Sequence, residues 1–173
     1  MSVDSMQRSR VLSETIGFSP LLKSFTNSTI TAQFKSVATQ YPDRMAIVDR
    51  ESRLTYQELD QKSNQLANVI NDQFGILPRP IALLLPQGAP AVVAILGILK
   101  ARMFYVPVSC AAHKAWLKGV LNVVRPAAVL TDKDNLELTQ LVSPAGVTSL
   151  DLGTVDSNET SSVAPLTSGA PED

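Results

Sequence analysis

Apolar positions along the chain change period repeatedly, and each change marks an element. Ile30, Phe34, Val37 and Ala38 fall at helical spacing, and Pro42 stops that helix. "MAIVD" (45–49) then reads as a strand. In "RLTYQELDQKSNQLANVI" (53–70), Thr55 with Glu58 three residues on makes a capping box. Leu59, Ser63, Leu66, Ala67, Ile70 and Phe74 then share one helical face, and Gly75 predicts a left-handed stop. The alternation goes on with a strand at Ile81–Leu85, a helix from Pro90 to about Ala101 and the strand "FYVPV" (104–108). A helix with Leu117, Val120, Leu121 and Val124 on one face ends before Pro126. It is followed by the strand "AAVLT" (127–131), a short helix from Asn135 to Val142 and the strand "VTSLDL" (147–152). Short apolar strands separated by helices predict an α/β fold, a mainly parallel sheet with helices on both faces.

One segment imitates a membrane span. "PIALLLPQGAPAVVAILGIL" (80–99) carries no charge and is long enough to cross a bilayer. Pro86, Gln87, Gly88 and Pro90 interrupt it, however, and an interior proline costs a helix about 3 kcal/mol. A buried strand, a turn and a buried helix opening at Pro90 account for it better. Residues 1–28 are weakly patterned and read as a leader or linker, and 29–153 carry the alternation. Residues 154–173 are rich in acids and small polar groups and read as a flexible tail.

Composition narrows the function. The 173 residues suit one domain with a real core. A net charge of −1 supplies no general field for nucleic acid or an anionic membrane. One cysteine and one histidine allow neither an internal disulfide nor a Cys/His zinc site, so a reducing cytoplasm is the expected compartment.

Candidate chemistry is sparse. Ligands in such sheets sit at the carboxyl ends of strands, so "TDKDN" (131–135) comes first. Asp132 and Asp134 could offer oxygens to Mg²⁺. A polar loop in which Asp134 or Asn135 caps the next helix explains them as well. No two of the eight glycines stand close enough for G-x-G-x-x-G, and no G-K-[ST] occurs. His113, near a helix start beside Lys114, reads as solvent-facing. Cys110 reads as a small half-buried thiol, because a Cys–His couple needs an orienting group and an oxyanion site. Trp116 reads as an anchor against a neighbouring layer, and Lys114, Lys118 and Arg125 as a solvated helix face.

The order of segments from Thr29 to Thr131 resembles the N-terminal part of adenylate-forming, AMP-binding enzymes, and above all the adenylation domains of nonribosomal peptide synthetases. "TITAQFKSVATQYPDRMAIVD" looks like their first helix and strand, "LTYQELDQKSNQLANVI" like their first core motif, and "ILKARMFYVPVS" like their second. Arg102 and Met103 stand where the family mostly has glycine, Ser109 replaces a usual aspartate, and Cys110, His113 and Trp116 occupy a segment that normally carries prolines and an arginine. The Arg102 substitution puts a strained turn in question. The resemblance implies ATP- and Mg²⁺-dependent adenylation of a carboxylic or amino acid. It also implies that the phosphate loop and later catalytic residues belong downstream of "PED" (171–173). No catalytic, cofactor-binding or metal residue is therefore carried over, and neither ATP nor Mg²⁺ is expected on this chain alone. The expected reading is an inactive N-terminal fragment. The alternative is an interaction module that pairs with itself or with the remainder of such an enzyme.

Burial of large apolar side chains contributes about 1.5–3 kcal/mol each. Leu66→Asp is therefore expected to collapse the helix layer, read as a large drop in melting temperature; an unchanged melt would contradict the assignment.

Overall fold

Near-continuous apolar runs decide which strands lie at the centre. In the computed structural model, which describes residues 28–50 and 52–157, β3 (Pro80–Leu84) is buried from Ile81 onward and β5 (Ala128–Thr131) throughout. They form the middle of a four-stranded sheet with β4 (Phe104–Pro107) outside β3 and β6 (Thr148–Asp151) outside β5. All three pairings are parallel, Ile81 lying opposite Tyr105 on one side and Ala128 on the other.

Side chains alternate between the two faces, and each face has its own helices. Ile81, Leu83, Ala128 and Leu130 pack against α2 (Tyr56–Phe74) and α3 (Ala89–Lys100) through Leu66, Ala67, Ile70, Ala94 and Ile98. Ala82, Leu84 and Val129 pack against α4 (Lys114–Val124) and α5 (Leu136–Val142) through Leu117, Leu121 and Val142. The expected parallel sheet covered on both faces is present. α1 (Ile30–Gln40) lies outside α2 and α3, and a short α6 (Leu152–Ser157) follows β6 across the boundary expected at 153. Residues 158–173, including "PED", lie outside the described residues, as do 1–27.

Two expectations need correction. "MAIVD" does not join the parallel sheet. β1 (Met45–Val48) pairs antiparallel with β2 (Arg53–Thr55) in a separate hairpin. The link 49–52 is far too short for a parallel crossover, which needs about a dozen residues. Met45 and Val48, 55% and 60% exposed, do not suit a strand buried on both faces. Gly75 does end α2 at a positive φ of 72°, but its ψ of −169° lies outside the left-handed helical basin.

The predicted capping box opens α2. Glu58 N–H donates to Thr55 Oγ1 (3.2 Å), and Thr55 N–H and hydroxyl donate to Glu58 Oε2 (2.8 and 3.0 Å). Those bonds hold the Glu58 carboxyl below its usual range. One face of α2 then meets α3 closely. A Cβ on Gly97 would stand 2.7 Å from Leu66 Cδ2 and 2.9 Å from its Cγ.

The same contact carries a polar core. Lys100 Nζ donates to Asp60 Oδ1 (2.8 Å), Ser63 Oγ (2.7 Å), Asn64 Oδ1 (2.8 Å) and Asp60 O (3.1 Å), and it lies 5.3 Å from the Phe34 ring centre. From α1, Lys35 Nζ reaches Asp60 Oδ2 at 2.8 Å. The Lys100 and Asp60 side chains are only 8% and 12% exposed, so neither ion can rely on water. Burial alone would push the Asp60 carboxyl up, but hydrogen bonds from Lys100 and Lys35 bring it below its usual range. Burial dominates at Lys100, whose amine is lowered despite Asp60. The two shifts pull opposite ways on the pair: Asp60 is held charged by its two lysines, while burial works against the charge on Lys100, on whose more deeply buried amine desolvation falls hardest.

The chain leaves α3 through a left-handed C-terminal turn. Arg102 N–H donates to Leu99 O (3.1 Å) and Met103 N–H to Ile98 O (3.0 Å), with Arg102 at φ 61°. The tight turn that the sequence put in question thus forms, with Arg102 carrying a strain of about 1–2 kcal/mol. Arg125, at φ 48°, closes α4 in the same basin.

Gly97→Ala forces Leu66 out of its place and is expected to destabilise by about 1–3 kcal/mol, measured by urea unfolding. A depressed carboxyl contributes stability that is present above its unfolded pKa and lost as pH falls through its folded one. The melting temperature is therefore expected to fall as pH drops below about 4. Asp60→Asn should flatten that limb and, by stranding Lys100, cost about 3–5 kcal/mol at neutral pH. Lys35→Met, at a pair with one exposed partner, should cost under about 1 kcal/mol. Equal costs for the two variants would contradict this account of the network.

Candidate functional site

In a sheet of order β4-β3-β5-β6, the connection from β3 leads to one side and the connection from β5 to the other. The crevice outside the carboxyl ends of these two strands is where open α/β sheets take ligands. A cavity of about 620 Å³ lies there, walled by Leu66, Ala89, Pro90 and Val93, with Ser52, Lys62, Asp132 and Asp151 among its polar lining.

α3 aims its amino terminus at this crevice. Gly88, at φ 150°, is the N-cap and offers no side chain, and Pro90 fits the first turn. An uncapped N-terminus of this kind attracts anions. Here the anion comes from the hairpin: Asp49 Oδ2 accepts from Ala89 N–H at 2.8 Å. Its Oδ1 accepts from Ser52 N–H (2.7 Å) and Ser52 Oγ–H (3.0 Å). A Cβ on Gly88 would meet Asp49 Oδ2 at 3.2 Å, so glycine serves both the backbone angle and the close approach.

The expected candidates do not converge on chemistry. Asp132 lines the cavity, but its Oδ1 accepts from Asn135 N–H (2.9 Å) and Nδ2 (2.8 Å), closing the turn before α5. That corrects the expected cap: Asn135 holds the N-cap position, but its side chain makes no capping bond to the helix, and Asp132 does the closing. Asp134 is exposed. Asp151 Oδ1 accepts from Gly153 N–H at 2.9 Å. Among the described residues no group of three or more His, Cys, Asp or Glu could hold a metal ion.

His113 is exposed as expected and caps α4, its Nδ1 accepting from Ala115 N–H at 3.3 Å. That bond takes up the nitrogen a base would need. Cys110 is half-buried, and burial, followed by the negative charge of Asp132, pushes its thiol up, away from the reactive thiolate. Trp116 corrects another expectation: it is 55% exposed and anchors no neighbouring layer among the described residues. On a helix it falls about 100° from Leu117 and 140° from Leu121, off the face that packs on the sheet. Lys114, Lys118 and Arg125 are exposed as expected.

The residues that sequence reasoning passed over are Asp49, Asp60 and Lys100. Ser63 on an otherwise apolar face was the available signal for the second and third, since a polar residue facing a core needs a partner. Nothing local announces Asp49, whose partner lies 40 residues away. The anion position at α3 is taken by a carboxylate, and the crevice walls carry two further carboxylates, Asp132 and Asp151, beside two lysines, Lys62 and Lys133.

Comparison with known proteins agrees with the fold. The family model described as AMP-binding enzyme matches residues 34–172. Tyrocidine synthase 1 of Brevibacillus parabrevis is 33% identical over 131 residues, 75% of this chain and 12% of its own length. A beauvericin nonribosomal cyclodepsipeptide synthetase of Gibberella fujikuroi is 33% identical over 111 residues, 64% of this chain and 4% of its own. Among solved structures, the nonribosomal peptide synthetase FmoA3 with α-methyl-L-serine-AMP bound matches at TM-score 0.71 and 30% identity, over 79% of this chain and 15% of that one. A fatty acid AMP ligase from Legionella pneumophila shares the fold at TM-score 0.70 and 22% identity, over 84% of this chain and 27% of that one. This chain spans a small part of each relative. No helix of the described residues is long and apolar enough to cross a membrane. By its sequence, its parallel sheet and these relatives, the chain belongs to the AMP-binding enzyme family and is built like the N-terminal part of a nonribosomal peptide synthetase adenylation domain.

Proposed function

We propose that this chain forms a supporting layer in the N-terminal lobe of an ATP-dependent ligase that adenylates a carboxylic acid, an amino acid being the class favoured by its relatives. In this reading residues 28–157 position the chemistry and do not perform it, so the chain is inactive in adenylation by itself. The observation that supports the reading is Asp49 seated on the amino terminus of α3. Handling a triphosphate needs preorganised donors and Mg²⁺. The α3 amino terminus, which borders the crevice, gives the Ala89 N–H to the protein's own carboxylate. The compartment that goes with this reading is the cytoplasm.

A second reading, pairing with another copy or with the remainder of such an enzyme, is favoured by the open edge of β4. Phe104 and Val108 direct their N–H groups to β3, at 3.4 and 2.9 Å. Tyr105 and Pro107 therefore face outward, and Pro107 lacks a donor, which limits strand addition there. Any such partner covers side chains more than it extends the ladder.

Titrating the chain with ATP·Mg²⁺ by calorimetry should give no binding heat, and pyrophosphate exchange over the twenty amino acids should stay at background. An amino acid-dependent exchange signal would overturn the scaffold reading.

A further inference from the structure

The amino-terminal end of the sheet, opposite the crevice, presents a row of arginines. Arg102 stands two residues before β4, Arg79 directly before β3 and Arg125 three residues before β5. These are three adjacent strands, so the row crosses two strand spacings, about 10 Å. The backbone fixes its order: Phe104 N–H donates to Arg79 O, and Ala127 N–H to Pro80 O at 2.8 Å. All three arginines are exposed, and none makes an ion pair among the described residues.

Apolar side chains border the same end. Ile76 and Leu77, in the loop leading to β3, are 71% and 73% exposed, and Phe104, opposite Pro80, is 51% exposed. Arginine beside exposed aromatic and aliphatic groups is the composition of a protein-binding patch.

A second observation is independent of exposure. Arg102 and Arg125 both sit at positive φ, at helix ends where glycine fits without strain. Neither side chain bonds anything among the described residues, so the turns gain nothing from the arginine. Strain at a residue its own turn does not need points to use elsewhere.

We propose that this end of the sheet is a docking surface for another polypeptide, an acidic segment carrying aliphatic or aromatic anchors. Carboxylates of the segment pair with Arg79, Arg102 and Arg125, the planar guanidinium forks favouring two-point contact. Its apolar side chains cover Ile76, Leu77 and Phe104. The surface is separate from the crevice and owes nothing to adenylation.

The test selects random displayed dodecapeptides on the immobilised full chain and measures one labelled, enriched peptide by fluorescence anisotropy. Enriched peptides should carry several Asp or Glu with at least one large apolar residue, and their binding should weaken as salt rises. In the double variant Arg102→Gly/Arg125→Gly the melting temperature should rise while affinity falls at least about tenfold. Arg79→Gln and Phe104→Ala should weaken binding without that rise. A purely structural role for these arginines cannot lower binding while raising stability. The proposal is overturned if no peptide enriches, if enriched peptides lack acids, or if the double glycine variant binds as tightly as the parent. It is equally overturned if the arginines instead confer binding to a single-stranded oligonucleotide probe, or if they mediate self-association seen by sedimentation.

Discussion

The Lys100 ammonium, buried between α1, α2 and α3, is the contact on which the helix layer depends. Three protons meet four oxygens, one of them charged, and an aromatic face closes the remaining side. Each acceptor sits where it does because α2 presents Asp60, Ser63 and Asn64 within little more than one turn. That spacing needs the helix to start in register, which the Thr55–Glu58 box ensures, and to lie close to α3, which Gly97 against Leu66 permits. The network thus converts local helix signals into one tertiary arrangement. An ion left without its partner there would be costly, so the layer tolerates few alternative packings.

Charge is used in the same way at the other end of α3. Asp49 ties the β1–β2 hairpin to the helix amino terminus, satisfying Ser52 and Ala89 with one carboxylate. Across about 18 Å of helix, both termini are therefore bound to other elements, a carboxylate at the positive end and a lysine near the negative end. Both charges follow the helix dipole, and both are committed to cohesion. A crevice at the switch point of the sheet remains, with apolar walls and both carboxylates and lysines in its lining.

Much of this was legible in the sequence because the signals were local. Apolar period, Pro42, Pro90 and the Thr55–Glu58 pair place the helices to within a residue or two, and the runs at 81–85 and 127–131 mark the central strands. What escaped depended on partners far along the chain. "MAIVD" carries strand composition, but only its short link to Arg53–Thr55 and its half-exposed pattern assign it to a hairpin. Trp116 looked like core by size, and helical phase put it outside. Arg102 looked incompatible with a tight turn, yet the turn forms, because the hydrogen bonds from Arg102 and Met103 N–H hold an arginine at positive φ. Of the candidate site, Asp132, Asp134, Cys110 and His113 were visible as residue types, and their local bonds could not be read from spacing.

On the scaffold reading, the charged groups around α3 hold the fold together, and Asp49 keeps a nucleotide from the Ala89 N–H. A ¹H–¹⁵N spectrum of the chain titrated with Mg·ATP tests this at individual amides. The account predicts that Gly88, Ala89 and the amides following β5 do not shift. A saturable shift at Ala89, with Asp49 displaced from its N–H, would contradict it.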